Sequence, residues 1–568
     1  MSYPLYLRDA PAKGHIYGTL SYNRKARCWT IKAEPCVTEL AKRLFPGCDG
    51  RGRGVARFSA HRRVIGELNW LMLRYPLQIA PRDRERWEEA LQEAREYAVR
   101  RESMLSAPQS ATPPEGAFSG ELLDFQKQGL AFLLSARRCL LADEMGLGKT
   151  VQALAFLATT AAYPALLIVP PHLIRNWQSE IERFLGPGVR VHVIRGLTPY
   201  ALPPAEVYLI HYLLLRGWKE TLPALGLRTA IFDEMQELRR NGTGKYSAAS
   251  LVAQACENVI GLSGTPIYNQ GGEIWNVVNI LDFHFLGDWE SFSREWCYGY
   301  NSAVVAKPEL LGEHLRREGL MLRRVKADVL PQLAPKRRLV QQIDWDDRVY
   351  RELMVPVAEQ LRLLRMTDDP SRRALIEDAI CQRQRQATGI AKAPFVAAFV
   401  RALVEAGEAV LLMAHHHAVM DIYKEELKAL RPGFVTGRES DAQKQAACDR
   451  FMQGKTDLLC VSLRAASGLN LQRASCVVFG ELDWSPAVHS QAEDRAHRIG
   501  QQDSLLCYYL VSPRGSDREM QDALGLKVSQ FVSLMGDRRQ TQEEKLFVES
   551  QARERIRRLV EDLQREQD

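Results

Sequence analysis

Short apolar segments alternate with helical stretches in two blocks of this 568-residue chain, one from about 118 to 325 and one from about 400 to 512. Segments of this length fit strands that are buried on both faces, and the stretches between them are long enough for crossover helices. The alternation predicts an α/β fold with parallel sheets covered by helices. The predicted strands lie in CLLA, ALLIVP, VYLIH, AIFDE and VIGLSGTP of the first block and in VLLMAHH, LLCVS, CVVFGEL and LCYYLV of the second.

The chain is too long for one hydrophobic core, so its length predicts several domains. Near the front, HIYGTLSYNRKARCWTIKAEP alternates apolar and polar residues and predicts a β-hairpin with Trp29 and Ile31 on one face. Composition and pattern divide the chain into 1–105 (a basic α+β accessory module with a trailing helix), 106–117 (a Pro-, Ser- and Ala-rich linker), 118–325 (a first lobe), 326–400 (a helical inter-lobe insertion), 401–530 (a second lobe) and 531–568 (a C-terminal helical tail).

Positive charge is concentrated at the front of the chain. Residues 1–80 hold 14 Lys and Arg against 5 Asp and Glu, a balance of +9, whereas the whole chain has a net charge of +7. A basic module on a nearly neutral body predicts a polyanionic partner. The alternative is a solvated basic surface that has no partner.

Composition argues against several classes of protein. The sequence has no run of about 18 apolar residues, so no membrane span is expected. The first residues of the sequence show no secretory pattern. The 11 cysteines form no CxxC pair and are typical of reduced thiols in a cytoplasmic protein. No metal site is expected from consecutive histidines at 415–417, which cannot all face one ion. The nearest set to a zinc site matches no zinc spacing; it comprises Cys28, Cys36 and Cys48 with His15 or His61.

Residues 140–150, LLADEMGLGKT, form an apolar strand that runs into a turn ending in Lys149 and Thr150. Backbone N–H groups of such a turn can surround a triphosphate, with Lys149 as a point charge and Thr150 as a Mg²⁺ ligand. The turn departs from the strict GxxxxGK[ST] pattern because Asp143 holds its first position. The residues predicted to bind the nucleotide here are Met145, Gly146, Leu147, Gly148, Lys149 and Thr150.

Two adjacent carboxylates, Asp233 and Glu234, close the apolar strand in AIFDEMQ. Asp233 suits a ligand of Mg²⁺, directly or through water. Glu234 suits the base that orients and deprotonates an attacking water. The alternative for Asp233 is a helix N-cap.

Arg495 and Arg498 occur in QAEDRAHRIGQ at 491–501, and their i, i+3 spacing predicts one shared helix face. The planar guanidinium donates hydrogen bonds in pairs and keeps its charge, which suits it to stabilise charge on a transferring phosphoryl group. The alternative is a surface helix in which both arginines pair with Glu493 and Asp494.

Weaker signals flank these motifs. Gln126, in DFQKQG ahead of the phosphate turn, can bond both a donor and an acceptor on adenine. Ser263 and Thr265 in LSGTP carry hydroxyls that can bond a carboxylate or a phosphate, although SGTP is also good turn chemistry. Ser467 and Asn470 in SLRAASGLNL suit close approach to a phosphodiester or to the first lobe.

The order of the motifs resembles the Swi/Snf-type branch of the superfamily-two helicase-like ATPases, and most closely the HARP-like annealing helicases. The resemblance covers roughly 118–515. It is carried by DFQKQG, LLADEMGLGKT, LLIVPPHLIRNWQSEI, AIFDEMQ, LSGTPIYN, MLRRVKADVLPQLAPKRR, RQATGIAKAPFV, MAHHHAVMD, SLRAASGLNL, VVFGELDWSPAVHS and QAEDRAHRIGQ.

The resemblance implies two RecA-like lobes with ATP and Mg²⁺ in the cleft, and duplex or forked DNA across both lobes. It implies that Gln126 contacts adenine and that Arg495 and Arg498 act as arginine fingers. It further implies that Lys149 and Thr150 hold phosphate and Mg²⁺, that Asp233 and Glu234 hold metal and water, and that Ser263 and Thr265 couple the site to DNA.

One residue departs from the family pattern. The acidic motif reads DEMQ instead of the more usual DEAH, so Gln236 stands where the family has a histidine that helps communication between sites. Both acidic residues remain, and the departure leaves the coupling open.

We therefore expect a DNA-stimulated ATPase that translocates on double-stranded or branched DNA, in strand reannealing or fork remodelling. We expect it in the cytoplasm, with the nucleoid if the source is a bacterium or a phage. Residues 1–80 are expected to add structure-specific DNA binding, because Tyr17, Tyr22 and Trp29 lie among their basic residues. The alternatives are a motor that displaces proteins from DNA and an ATP-gated DNA-binding scaffold with little turnover.

Overall fold

The computed structural model describes residues 4–9, 14–45, 48, 54–106, 109–264, 272–298, 304–330, 332, 336–367, 369–463, 465, 469–498, 505–517 and 520. Thr265, Ser467 and the predicted tail 531–568 lie outside these residues. The chain divides into unit 1, residues 1–143 and 148–324, and unit 2, residues 144–147 and 325–568.

The front of unit 1 is a four-stranded sheet in the order β3-β2-β1-β4, with helices packed against it. The predicted hairpin is confirmed: β1 and β2 are antiparallel, and Asn23 Oδ1 accepts hydrogen bonds from the N–H groups of Lys25 and Ala26 in the turn. The elements are β1 (Gly18–Asn23), β2 (Cys28–Ala33), α1 (Pro35–Leu44), β3 (Val55–Ser59), α2 (Arg62–Arg74), β4 (Leu77–Ile79) and α3 (Arg84–Ser106).

Trp29 lies in the core of this module and cannot stack on a nucleic-acid base there, which corrects the expectation from the sequence. It is 1% exposed, faces the core together with Ile31, and packs edge-on against Tyr22 and Trp87. The alternation of β2 that buries Trp29 leaves Lys32 exposed.

Basic residues lie on the exposed side of the same sheet. Lys32 and Arg57 occur at exposed positions of β2 and β3, where each follows a buried residue. The turn of the hairpin adds three exposed basic residues, Arg24, Lys25 and Arg27. The exposed side of the sheet therefore presents basic side chains, whereas Trp29 lies in the core.

Partly buried ion pairs attach the module to the rest of unit 1. Arg62 Nη2 lies 2.6 Å from Oδ2 of Asp282, and His61 Nε2 lies 3.2 Å from its Oδ1. Arg101 Nη1 binds Oε1 of Glu318 at 2.8 Å. Burial alone would raise the pKa of Asp282, but His61 and Arg62 hold it below its usual value.

The remainder of unit 1 is a parallel sheet in the order β11-β5-β10-β9-β6-β8-β7. Its strands are β5 (Arg138–Leu141), β6 (Ala165–Val169), β7 (Val191–Val193), β8 (Val207–His211), β9 (Thr229–Asp233), β10 (Asn258–Leu262) and β11 (Met321–Leu322). Its helices are α4 (Asp124–Ala136), α5 (Lys149–Thr160), α6 (Ile174–Leu185), α7 (Gly244–Ala255), α8 (Gly272–Leu281), α9 (Trp289–Trp296) and α10 (Pro308–Arg317).

Unit 2 contains a second parallel sheet, in the order β12-β17-β16-β13-β15-β14. Its strands are β12 (Lys336–Gln342), β13 (Val410–Ala414), β14 (Gly433–Val435), β15 (Leu458–Ser462), β16 (Cys476–Phe479) and β17 (Leu505–Val511). Its helices are α11 (Lys326–Val329), α12 (Asp347–Met354), α13 (Val357–Arg365), α14 (Pro370–Glu405), α15 (His417–Glu426), α16 (Asp441–Met452) and α17 (Pro486–Ala496). Residues 326–400, expected to be helical, thus also supply the edge strand β12.

By length and composition alone, helix α14 could cross a membrane. Half of its most apolar stretch is buried in the structure. Lys392, within this helix, is fully buried and donates hydrogen bonds to the carbonyl oxygen of Leu510 at 2.8 Å and to Oδ2 of Asp517 at 2.6 Å. Such contacts are typical of a core helix.

Asp282→Asn tests the attachment of the front module. The substitution leaves the partly buried guanidinium of Arg62 with a neutral partner, so the free energy of unfolding should fall by roughly 1–3 kcal/mol at neutral pH. Urea titration of both proteins measures this loss. Because the pKa of Asp282 is lowered in the folded state, the stabilisation is present above the ordinary aspartate pKa and is lost as pH falls through the folded value.

Asp9→Asn is the control, since Asp9 is 83% exposed and pairs with Arg95 at the surface. Its substitution should cost about 0–1 kcal/mol. Equal losses for the two variants would contradict a special contribution from Asp282.

Candidate functional site

The neighbouring strands β5, β10 and β9 of unit 1 end at the same edge of the sheet. In the register of the sheet, Leu262 of β10 is paired with Leu141 of β5 on one side and with Asp233 of β9 on the other. Because all three strands are parallel, the residues that follow them meet at one edge. This register brings the phosphate turn, Glu234 and Ser263 together, as the sequence predicted.

The turn after β5 leads directly into helix α5. Gly146 and Gly148 have φ of 84° and 73°, a left-handed conformation that favours glycine. Gly148 is the N-cap of α5, so Lys149 and Thr150 occupy the first turn of the helix. Met145 and Leu147 are buried. The geometry fits a phosphate group at a helix N-terminus.

Gln126 lies next to the phosphate turn. Its side chain is 5% exposed, and Oε1 accepts a hydrogen bond from the N–H of Leu123 at 3.0 Å, which caps helix α4. A Cβ placed on Gly148 would lie 2.5 Å from Nε2 of Gln126. Gln126 therefore lies directly beside the phosphate turn.

Asp143, the residue that breaks the strict phosphate-turn pattern, is fully buried and paired with Arg324. The guanidinium of Arg324 also donates to Gln152 Oε1 at 2.8 Å, and its main-chain N–H donates to Asp143 Oδ1 at 3.1 Å. Lys149 Nζ donates to the carbonyl oxygen of Asp143 at 2.7 Å. Asp143 thus fixes the start of the turn, with Arg324 as its counter-ion.

The cation and the carboxylates of the site influence one another. Burial lowers the pKa of Lys149 to about 8, although nearby carboxylates, Glu234 first, oppose this shift. Burial and the adjacent Glu234 raise the pKa of Asp233 to about 6, although a hydrogen bond from Trp177 Nε1 to Oδ2 at 2.7 Å opposes the rise. The site therefore combines a desolvated lysine with two crowded carboxylates.

A chain of hydrogen bonds joins Glu234 to the end of β10. Gln236 Nε2 donates to the carboxylate of Glu234, and Ser263 Oγ donates to Gln236 Oε1 at 2.6 Å. The two partners together fix the orientation of the amide of Gln236. Gln236, which departs from the family motif, thus bridges the carboxylate and the buried Ser263.

Glu234 has a left-handed backbone, with φ of 50° and ψ of 52°. This conformation is uncommon for a residue other than glycine and costs on the order of 1–3 kcal/mol. Strain of this kind often marks functional positions, where the surrounding structure holds it in place.

The residues present fit a magnesium nucleotide. A divalent cation would offset the repulsion between Asp233 and Glu234, and the hydroxyl of Thr150 is a suitable second ligand. Lys149 supplies the positive charge for the phosphates. Within the described part of the chain, no cluster of three or more His, Cys, Asp or Glu side chains is arranged to hold a metal ion.

The two arginines are placed differently from the prediction. Helix α17 ends at Ala496 with His497 as its C-cap, so Arg498 lies beyond the helix and does not share a helix face with Arg495. Arg495 is 5% exposed, and Arg498 Nε donates to the carbonyl oxygen of Asp494 at 2.9 Å. Beyond the C-cap, the N–H of Arg498 donates to the carbonyl oxygen of Ala496 in a tighter turn.

The two acids of QAEDRAHRIGQ do not lie on a surface helix. Glu493 and Asp494 are buried and pair with cations from residues 326–338. Asn470, predicted near a phosphodiester or the first lobe, is exposed.

Sequence reasoning assigned no role to several residues that shape the site. Trp177 lies in LLIVPPHLIRNWQSEI, and Arg324 and Lys326 lie in MLRRVKADVLPQLAPKRR. Both segments are among the motifs that carry the family resemblance. Tyr212 also supports the site, since its hydroxyl donates to the carbonyl oxygen of Asp233 at 2.7 Å. These contacts join residues far apart in sequence, so spacing could not reveal them.

Two family profiles match the chain. The profile of the SNF2-related domain matches residues 68–367, which is 300 of the 568 residues. The profile of the helicase conserved C-terminal domain matches residues 395–500.

Relatives cover most of this chain. The SWI/SNF-related matrix-associated actin-dependent regulator of chromatin subfamily A-like protein 1 of Bos taurus is 31% identical over 73% of this chain and 44% of that protein. The protein of the same name from Drosophila melanogaster is 28% identical over 71% of this chain and 54% of its own length.

The human DNA annealing helicase and endonuclease ZRANB3 is 29% identical over 74% of this chain and 41% of its own length. The chain therefore spans about half the length of these relatives, or less. Among solved structures, the Sulfolobus solfataricus SWI2/SNF2 ATPase core in complex with dsDNA is 20% identical, covers 74% of this chain and 94% of its own, and gives a TM-score of 0.37.

Arg324→Met tests the support of the phosphate turn. The substitution leaves the buried carboxylate of Asp143 without its counter-ion, so the free energy of unfolding should fall by roughly 3–5 kcal/mol. Affinity for a fluorescent ADP analogue should fall as well, because Asp143 holds Lys149 in place. Urea titration and fluorescence titration measure the two effects.

Arg137→Met is the matched control, because Arg137 is 53% exposed and pairs with Glu257 at the surface of the same unit. It should cost about 0–1 kcal/mol and leave ADP affinity unchanged. Unchanged ADP binding in Arg324→Met would show that the turn does not depend on this pair.

Proposed function

Because the chain belongs to the SNF2-related family, we propose that it is a DNA-dependent ATPase that translocates on double-stranded or branched DNA. The observation that carries this proposal is the row of polar groups at the ends of β5, β9 and β10. It combines a phosphate turn, two carboxylates and a hydroxyl relay at one edge of a parallel sheet. The names of the relatives, which include an annealing helicase, favour strand reannealing or fork remodelling as the task.

ATP with Mg²⁺ is the proposed cofactor pair. Lys149 and the turn at 145–148 hold the phosphates, and Gln126 contacts the adenine. Thr150 and Asp233 hold Mg²⁺, which supplies charge neutralisation at the phosphates when it is bound.

Glu234 is the proposed base for the attacking water. Its position is fixed by the amide of Gln236, which in turn is held by Ser263. A displacement of Ser263 would therefore be transmitted to Glu234 through the side chain of Gln236. This connection supports a role for Ser263 in coupling hydrolysis to DNA.

Arg495 and Arg498 are the proposed arginines that stabilise charge on the transferring phosphoryl group. An arginine in this role is worth about 10³–10⁵ in rate in other systems. The nearness of Arg498 to the turn supports this role. Both Arg498 and Gly146 belong to unit 2, and a Cβ built on Gly146 would lie 3.1 Å from Cγ of Arg498.

DNA is the proposed partner of the front module, through the charged side of its sheet. Lys32 and Arg57 lie on exposed strand positions, and Arg24, Lys25 and Arg27 lie in the adjoining turn. Contacts of this kind bind the phosphate backbone and are largely independent of sequence.

Glu234→Gln tests the enzyme activity. The amide keeps the size of the side chain but cannot accept a proton, so DNA-stimulated phosphate release should fall by about 10²–10⁴-fold. ADP affinity should change little. Phosphate release is measured with single-stranded, duplex and forked DNA and without DNA.

Glu237→Gln is the matched control, since Glu237 is three residues away and pairs at the surface with Lys245. It should keep the wild-type rate. Equal rates for wild type and Glu234→Gln would reject hydrolysis as the function and favour an ATP-gated scaffold.

Charge reversal of Lys32 and Arg57 to Glu tests the front module. If both contact phosphates, affinity for forked DNA falls and the slope of log K against log salt decreases by about 1.8, or about 0.9 for each lost contact. Fluorescence anisotropy over a salt series measures the slope.

Arg348→Glu with Arg351→Glu carries the same change of net charge on another exposed surface. This control should reduce the slope by less. Equal slopes for the two double variants would contradict DNA binding by the sheet.

A further inference from the structure

The chain passes from unit 1 to unit 2 between Arg324 and Val325. Charged residues on both sides of this point are held by buried contacts. Arg324 is bound to Asp143, as described above. The first charged residue on the unit 2 side is Lys326, which is 3% exposed. Lysine is rarely buried to this extent unless it is paired, and the proposed chemistry gives Lys326 no role.

The ammonium group of Lys326 lies at the end of helix α17. Its Nζ donates to Oδ1 of Asp494 at 2.8 Å and to the carbonyl oxygen of His497 at 2.5 Å. His497 is the C-cap, and its N–H bonds the carbonyl oxygen of Glu493. A cation here also meets the negative end of the helix dipole. Lys326 therefore holds the last turn before Arg498.

Two further cations stabilise the acids of α17. Lys336 Nζ lies 2.8 Å from Glu493 and 3.4 Å from Asp494, and Arg338 lies 2.7 Å from Glu493. Burial opposes ionisation of both acids, but Lys336 and Arg338 hold the pKa of Glu493 down at about 2. The pKa of Asp494 is also lowered, by Lys326 and Lys336. Both acids stay charged and anchor the helix.

The main chain of Lys326 contacts the phosphate turn. Its N–H donates to Oε2 of Glu144 at 2.7 Å, and residues 144–147 are the part of the turn that belongs to unit 2. A Cβ on Gly146 would lie 3.3 Å from Cε of Lys326 and 3.1 Å from Cγ of Arg498. Lys326 thus contacts the turn through its backbone N–H and, through its side chain, contacts Asp494 and His497, which flank Arg495.

We propose that Lys326 is a positioning residue, which sets where Arg495 and Arg498 lie relative to the turn at 144–147 by holding Asp494 and His497. This inference rests on the proposed function, because the position of an arginine affects turnover only if the arginine acts on the nucleotide. A shift of the turn is transmitted through Glu144 and Lys326 to the end of α17.

A purely structural ion pair makes a different prediction. It would change the free energy of unfolding, but would not separate the turnover number from nucleotide affinity. A positioning residue changes kcat while leaving KM for ATP nearly constant, because the displaced arginines act mainly in the transition state.

Lys326→Met in the full chain is the first test. The substitution keeps the length of the side chain and removes the charge and both hydrogen bonds of Nζ. The kcat of DNA-stimulated hydrolysis should fall by roughly 10–100-fold, as expected for a misplaced catalytic group. KM for ATP and affinity for fluorescent ADP should stay close to those of the wild type. A wild-type kcat would overturn the proposal.

A double-mutant cycle with Arg498→Ala asks whether Lys326 acts through the arginine. A missing arginine cannot be misplaced, so in the double variant only Arg495 is left to be displaced, and the loss of kcat should be smaller than the product of the two single losses. Losses that multiply would overturn the proposal, and so would a wild-type kcat in Arg498→Ala.

Arg338→Met is the matched control for the ion network. Arg338 is 46% exposed and pairs with Glu493, but it does not contact Asp494 or His497 in the way Lys326 does. It should keep the wild-type kcat even if it lowers stability. A loss of kcat equal to that of Lys326→Met would assign the effect to the whole network and reject positioning by Lys326.

Two outcomes separate this inference from the proposed function. If Glu234→Gln hydrolyses ATP as fast as the wild type, the proposed function fails. If Glu234→Gln is inactive but Lys326→Met turns over normally, only the role of Lys326 fails. If Lys326→Met does not fold, Lys326→Gln, which removes the charge but keeps a donor for His497, is measured in the same way.

Discussion

The parallel register of β5, β10 and β9 is the constraint on which the candidate site depends. Hydrogen bonding across the sheet sets Leu141, Leu262 and Asp233 in one row, so the next residue of each strand enters the site. A shift of one residue along any strand would turn its side chains to the other face of the sheet. The buried apolar faces of these strands resist such a shift, so packing in the core fixes the chemistry at the edge.

Buried charges then refine this arrangement. Asp143 with Arg324, and Asp494 with Lys326, each remove two ions from water, which is costly unless the geometry is good. These pairs contribute little by themselves to net stability, but losing one partner is expensive. Such pairs therefore favour one arrangement of the turn and one arrangement of the arginine segment over alternatives.

The sequence predicted the long central strands well because each is a continuous apolar run between polar turns. It missed β7, β11 and β14, which are only two or three residues long, and β12, whose KRRLVQQ is mostly polar because it lies at the edge of its sheet. Site residues within motifs were predicted on the same basis. Trp177 and Lys326 were not assigned roles, because their partners lie 56 and 168 residues away.

The sequence by itself determined the two parallel α/β sheets, the phosphate turn with Lys149 and the acidic pair after β9, because each depends on a local pattern of apolar and polar residues. Only the tertiary structure decided that Trp29 is buried, that Arg498 lies beyond the end of α17, and that Gln236 joins Glu234 to Ser263. These features depend on which surfaces pack together and which charges find partners, and the spacing of residues along a chain does not record either.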